Sequence, residues 1–121
     1  MDLVLSLHGR VAWALVLYYL AVGGWGIFLG ARDVGPTPGF RGAIAIGIVA
    51  AIAQGVLGLL VLLFLRGPSE PLHLLYGIAL VATMPLAMTL AQGRTPRGQA
   101  YALGLAALFT AGLAIRGITT A

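Results

Sequence analysis

R-G-A-I-A-I-G-I-V-A-A-I-A-Q-G-V-L-G-L-L-V-L-L-F-L, Arg41 to Leu65, is an apolar run in which Gln54 is the one polar side chain after the opening arginine. It exceeds the roughly 20 residues that a helix needs to cross the hydrocarbon core of a bilayer. Its polarity does not alternate from residue to residue as a barrel strand requires. Gly47, Ala51 and Gly55 recur at four-residue spacing, which gives the run a close-packing helix face. Lipid offers the backbone no hydrogen-bond partners, so only helices or closed barrels span it, and this run reads as a membrane helix.

The rest of the chain agrees. Of 121 residues, 60% are hydrophobic and 8% charged, and the mean hydropathy is +1.03. No soluble domain of this size can hide that much apolar surface. Three further apolar runs follow the same logic, so that helices are expected at about 3–30, 41–65, 71–91 and 99–116. They are separated by A-R-D-V-G-P-T-P-G-F (31–40), R-G-P-S (66–69) and Q-G-R-T-P-R-G-Q (92–99), loops by their Gly, Pro and Asp content. Ser69 or Glu70 is the expected cap of the third helix and Pro71 a first-turn residue, whereas Pro85 removes one hydrogen bond from its middle. Short connections make successive helices antiparallel, so the expected fold is an all-α, up-down-up-down four-transmembrane-helix bundle comprising residues 1–121 as one integral membrane domain. The acid at Asp2 and the length of the first run point to a retained span rather than a cleaved leader.

Two histidines occur in the chain, His8 in L-S-L-H-G-R and His73 in S-E-P-L-H-L-L-Y. Helices one and three run in the same direction, so both imidazoles lie at one face of the membrane and at similar depth. Two neutral imidazoles approaching from opposite sides are the axial ligands of a low-spin, non-covalent b-type haem. Metal–nitrogen bonds of about 2 Å plus two histidine side chains separate the ligand Cα atoms by about 12–13 Å, and diagonal helices of a square bundle lie about 11–14 Å apart. Gly9 and Gly77, beside and four residues after the ligands, leave room for a flat macrocycle, as do Gly58 and Gly112. Arg10, Arg66 and Arg116, with Tyr76, supply donors for its propionates at the same face. Glu70 and His73 form E-x-x-H, whose acid is read first as a helix-start residue. Met84, Met88 and the aromatic residues Trp13, Tyr18, Tyr19 and Trp25 read as packing and interface residues. Gln54 reads as an interhelical hydrogen-bonding group with a quinone contact as the second option.

On His8, His73, the E-P-L-H segment and the rim arginines, the chain resembles the compact four-helix membrane haem b proteins, such as single halves of haem A synthase and small respiratory b-type cytochromes. Its histidines are placed differently along the chain from those of haem A synthase. The resemblance implies electron transfer by a small subunit of a quinone-linked respiratory or photosynthetic complex, a carrier rather than an enzyme by itself. The alternatives are a chlorophyll-binding accessory subunit, with one histidine per pigment, and a cofactor-free structural or assembly subunit. Expected partners are membrane lipid, a larger redox complex or further copies of the chain, and quinone. Nucleic acid is not among them, because the seven arginines form no basic run. The absence of cysteine excludes disulfides, Fe–S clusters and thioether-linked haem. No acid lies within a span to couple proton transport, and no nucleophile, base and carboxylate converge for hydrolysis. Arg32, Arg41, Arg94 and Arg97 outnumber the three arginines of the histidine face, which places that opposite face in the cytoplasm and the histidines and both termini on the outer face of a bacterial inner membrane.

Overall fold

The computed structural model describes residues 2–65, 67 and 71–121. Four helices follow in order: α1 (Asp2–Ala31), α2 (Pro38–Phe64), α3 (Leu72–Ala91) and α4 (Pro96–Thr120). All four are long and apolar enough to cross a bilayer. They form the expected up-down bundle, closed as a ring in which each helix packs on its neighbours in sequence and α1 closes onto α4. Among the described residues the diagonal helices α1 and α3 share no close backbone contact.

Two helices start earlier than their apolar runs suggest. Thr37 caps α2 by accepting a hydrogen bond from the Phe40 amide (3.2 Å), and Thr95 caps α4 by accepting from the Gly98 amide (3.1 Å). Each is followed by a proline, Pro38 or Pro96, whose missing N–H falls where a helix has no use for one. These Thr-Pro pairs are start signals rather than loop residues. α1 ends where Asp33 adopts a left-handed conformation (φ 56°), which lets the Val34 amide close back on the Leu29 carbonyl at 2.8 Å. α3 starts at Leu72, next to the expected Pro71, and continues through Pro85. The expected caps Ser69 and Glu70 lie outside the described residues.

α1 and α4 make the tightest contact in the bundle, through backbone rather than side chains. A Cβ added to Gly26 would stand 2.6 Å from the Gly104 Cα, and one added to Gly104 would stand 2.9 Å from the Ile27 nitrogen. Gly23 and Gly30 extend the seam, packed beneath Leu108 and Tyr101. Between lipid-soluble helices the hydrophobic effect supplies little attraction, and close backbone approach at small residues takes its place. On α2 the small face has another use: Gly47 receives the Tyr19 ring, whose hydroxyl would lie 2.9 Å from an added Cβ. The Tyr18 hydroxyl donates to the Ala43 carbonyl at 2.6 Å and ties α1 to α2. Met84 is fully buried and Met88 packs at the core margin, in line with a packing role.

The loop-side half of the bundle is therefore dense, with Trp25 edge-on to the buried Phe40 ring. The seam between α2 and α3 is the loosest. Gly104→Ala is expected to destabilise the fold by about 1–3 kcal/mol, because the new methyl meets backbone that cannot swing away. Gly24→Ala, next to Gly23 in sequence but turned outward with nothing within 4 Å, is expected to be neutral or to stabilise by up to about 1 kcal/mol through helix propensity. Thermal unfolding of both variants in one detergent checks this; transitions shifted alike would contradict the backbone seam.

Candidate functional site

His8 lies two turns into α1 and His73 in the first turn of α3, and both are half-buried. Their rings meet across the bundle diagonal, with centroids 6.1 Å apart and planes crossed at 78°. Because the backbones of α1 and α3 do not touch, these two side chains span the gap between them.

Each ring is held from a third helix. His73 Nδ1 lies 2.8 Å from the Gly117 carbonyl oxygen and 3.3 Å from Thr120 Oγ1, both on α4. A carbonyl only accepts, so Nδ1 carries the proton and donates, which leaves the Nε2 lone pair available. Gly117 lies in the last turn of α4, and its carbonyl oxygen, which has two lone pairs, accepts from the imidazole as well as from the Thr120 hydroxyl at 3.3 Å. Thr120 turns its own hydroxyl back to the Arg116 carbonyl at 2.7 Å. His8 rests against α2, where a Cβ on Gly58 would stand 3.1 Å from His8 Cε1. Gln54, 6% exposed, donates from Nε2 to the His8 backbone carbonyl at 2.8 Å, the interhelical bond expected of it.

Around the pair lies a cavity of about 940 Å³, partly open to the outside and walled by all four helices. That is the upper part of the range for small-molecule and cofactor sites, about 300–1,000 Å³. Its wall is mainly apolar, and the polar groups His8, His73, Arg10, Gln54, Ser6 and Tyr76 are few. Gly9 and Gly77 border it, and a Cβ on either would meet nothing within 4 Å. On α2 and α4 the wall is lowered by Gly55, Gly58, Ala114 and Gly117. Gly112, expected to serve on α4, is exposed and does not border the cavity; the helical phase puts Ala114 and Gly117 there instead. Trp13, read as an interface residue, is exposed yet also forms part of the wall.

The rim residues divide. Arg10 and Tyr76 border the cavity. Arg116 stands outside its wall, with its guanidinium carbon 5.4 Å from the centre of the Tyr76 ring. Arg66 and Glu70 lie outside the described residues. Among the described residues no three His, Cys, Asp or Glu side chains gather, so no described carboxylate joins the imidazole pair. Two imidazoles so placed can serve one metal centre from opposite sides, as a four-ligand protein cage cannot.

The signal missed in the sequence is the Gly117 carbonyl, a backbone group with no residue type to mark it. Comparison with protein-family models, with curated proteins and with solved structures gave no match. In protein labelled with ¹⁵N-histidine, His73 is expected to hold its proton on Nδ1 and to leave Nε2 bare. Protonation at Nε2 instead would break the link to Gly117.

Proposed function

We propose that the chain is a membrane-embedded electron-transfer protein that holds one non-covalent b-type haem between His8 and His73. The observation that carries this reading is the 6.1 Å separation of the two ring centres. Metal–imidazole bonds of about 2 Å, with each ring nitrogen roughly 1 Å from its ring centre, put the centres of two axial imidazoles about 6 Å apart. The His73 Nδ1 contact with Gly117 supports it independently, since histidine ligands typically donate their other nitrogen to a carbonyl or carboxylate. A haem bound there supplies one-electron redox chemistry.

The residues fit such a group in three further respects. Apolar walls of this extent complement a porphyrin face, and void lining that touches nothing forfeits its dispersion contacts. Gly9 and Gly77 leave clearance that any larger side chain would occupy. Arg10 at the rim, and Arg116 behind Tyr76, bring cations to the side where acidic substituents would reach water. With His8 and His73 both holding the group, the chain would act as a carrier rather than an oxygen-activating enzyme.

The chain has no second histidine pair, so electrons enter and leave near one membrane face. A larger redox complex, or a quinone in the bilayer, completes the circuit. Arg32, Arg41, Arg94 and Arg97 mark the other end of the bundle, where Arg41 donates to Gln99 at 3.1 Å, and the positive-inside tendency assigns that end to the cytoplasm. The site then lies toward the outer face.

Protein purified from haem-replete cells is expected to show a Soret band and to yield haem b by pyridine haemochrome assay at one per chain. His8→Ala and His73→Ala should each abolish binding while helix content is kept. Gly58→Leu, which crowds the His8 ring from α2 without altering a ligand, should reduce haem content severalfold; Gly24→Leu should not. A folded, colourless wild type rejects the reading, and a pigment released by solvent with a chlorophyll spectrum replaces it with single-histidine ligation.

A further inference from the structure

Three side-chain atoms among the described residues are buried without a hydrogen-bond partner, and two of them, His8 Nδ1 and Gln54 Oε1, belong to residues already joined by a hydrogen bond. Leaving a buried polar atom unpaired is costly, more so in surroundings as apolar as a bilayer, so two such atoms on residues already bonded to each other call for a common explanation. They are chemically complementary. Gln54 turns its Nε2 to the His8 carbonyl at 2.8 Å, and because that carbonyl can only accept, the orientation of the amide is set and the oxygen is the free end. An imidazole nitrogen beside a lone acceptor satisfies both atoms when it carries the proton.

We infer that Gln54 is a positioning residue for His8: it grips the residue twice, at the backbone carbonyl through Nε2 and at the ring through Oε1 from a protonated Nδ1. The consequence is a tautomer. With its proton held on Nδ1, His8 presents a bare Nε2, as His73 does through the Gly117 carbonyl. The two rings are then prepared in the same way from different helices, α2 for one and α4 for the other. Free histidine in water favours the opposite tautomer, with the proton on Nε2, where it blocks ligation. Gln54 is thus the reason a polar residue stands in the middle of the otherwise apolar α2, 6% exposed and at the cavity wall. Helix packing alone needs one of its two polar atoms; the tautomer needs the other.

This inference rests on the ligand reading of His8, but its test does not require haem. In haem-free protein labelled with ¹⁵N-histidine, His8 of the wild type is expected to be protonated at Nδ1. Gln54→Leu, similar in bulk and suited to lipid, should release the ring to Nε2 protonation or to a mixture, while His73 keeps its Nδ1 proton as an internal reference. Gln54→Glu retains an acceptor oxygen and should restore the wild-type pattern, which also covers the case in which the leucine variant does not fold. Haem affinity should fall about 10–100-fold in Gln54→Leu, the usual cost of losing a partner of a ligating histidine, and recover in Gln54→Glu. Nε2 protonation of His8 in the wild type, or a leucine variant with an unchanged His8 spectrum, overturns the assignment. A wild type that binds no haem but shows the expected tautomers rejects the proposed cofactor and leaves the Gln54 contact standing.

Discussion

The bundle depends on one close approach, the backbone of α1 against the backbone of α4 at Gly26 and Gly104. In water a helix pair is held by removing apolar side chains from solvent; in lipid that gain is absent, and the contact must come from dispersion and dipolar interactions at short range. Glycines on both sides let the helix axes draw close over the loop-side half of the molecule. Tyr101 and Leu108 of α4 close over Gly30 and Gly23 and extend the seam in both directions. Nothing comparable joins α2 to α3, the loosest pair in the ring. Packing is therefore strong along one side of the bundle and slack along the other.

That asymmetry decides where a cavity can exist. The glycine seam involves residues 23–30 of α1 and 100–108 of α4, whereas the cavity is walled by residues 5–15 of α1 and 113–121 of α4. The same two helices that touch at one end enclose space at the other. His8 and His73 reach across this space from the diagonal pair, and the neighbouring helices α2 and α4 hold them through Gln54 and Gly117. A site assembled from the ends of four helices, one contribution from each, is rigid only as long as the distant seam keeps those ends in register. Stability and site geometry are supported at opposite ends of the molecule.

The parts of this arrangement that follow from residue type were legible in the sequence. Apolar runs of spanning length fix the helix number, short loops fix their antiparallel order, and together these put the two histidines on diagonal helices at one level. The missed parts have physical reasons. Thr37-Pro38 and Thr95-Pro96 resemble loop residues because threonine and proline serve turns as readily as helix starts, and only the threonine hydroxyl's contact with the Phe40 or Gly98 amide tells the two apart. Gly104 carries no mark that separates it from Gly112; helical phase turns one toward α1 and the other outward, and residue type alone does not say which face of α4 meets α1. A backbone carbonyl such as that of Gly117 is common to every residue and becomes a partner only because the His73 ring meets α4 at that height.

Placement of the imidazoles near a membrane face, rather than at mid-depth, follows from the same economy of polar groups. A ligand pair deep in the bundle would need its partners from side chains, since mid-helix carbonyls are already committed to the backbone ladder. At His73 the partner is the Gly117 carbonyl in the last turn of α4, 2.8 Å from Nδ1. His8 is met instead from α2, where Gln54 donates to its backbone carbonyl at 2.8 Å. The position of Gln54 among apolar neighbours is thus set by the depth of His8. A shift of that residue by one helical turn, about 5.4 Å, would carry its carbonyl out of reach of the buried carboxamide.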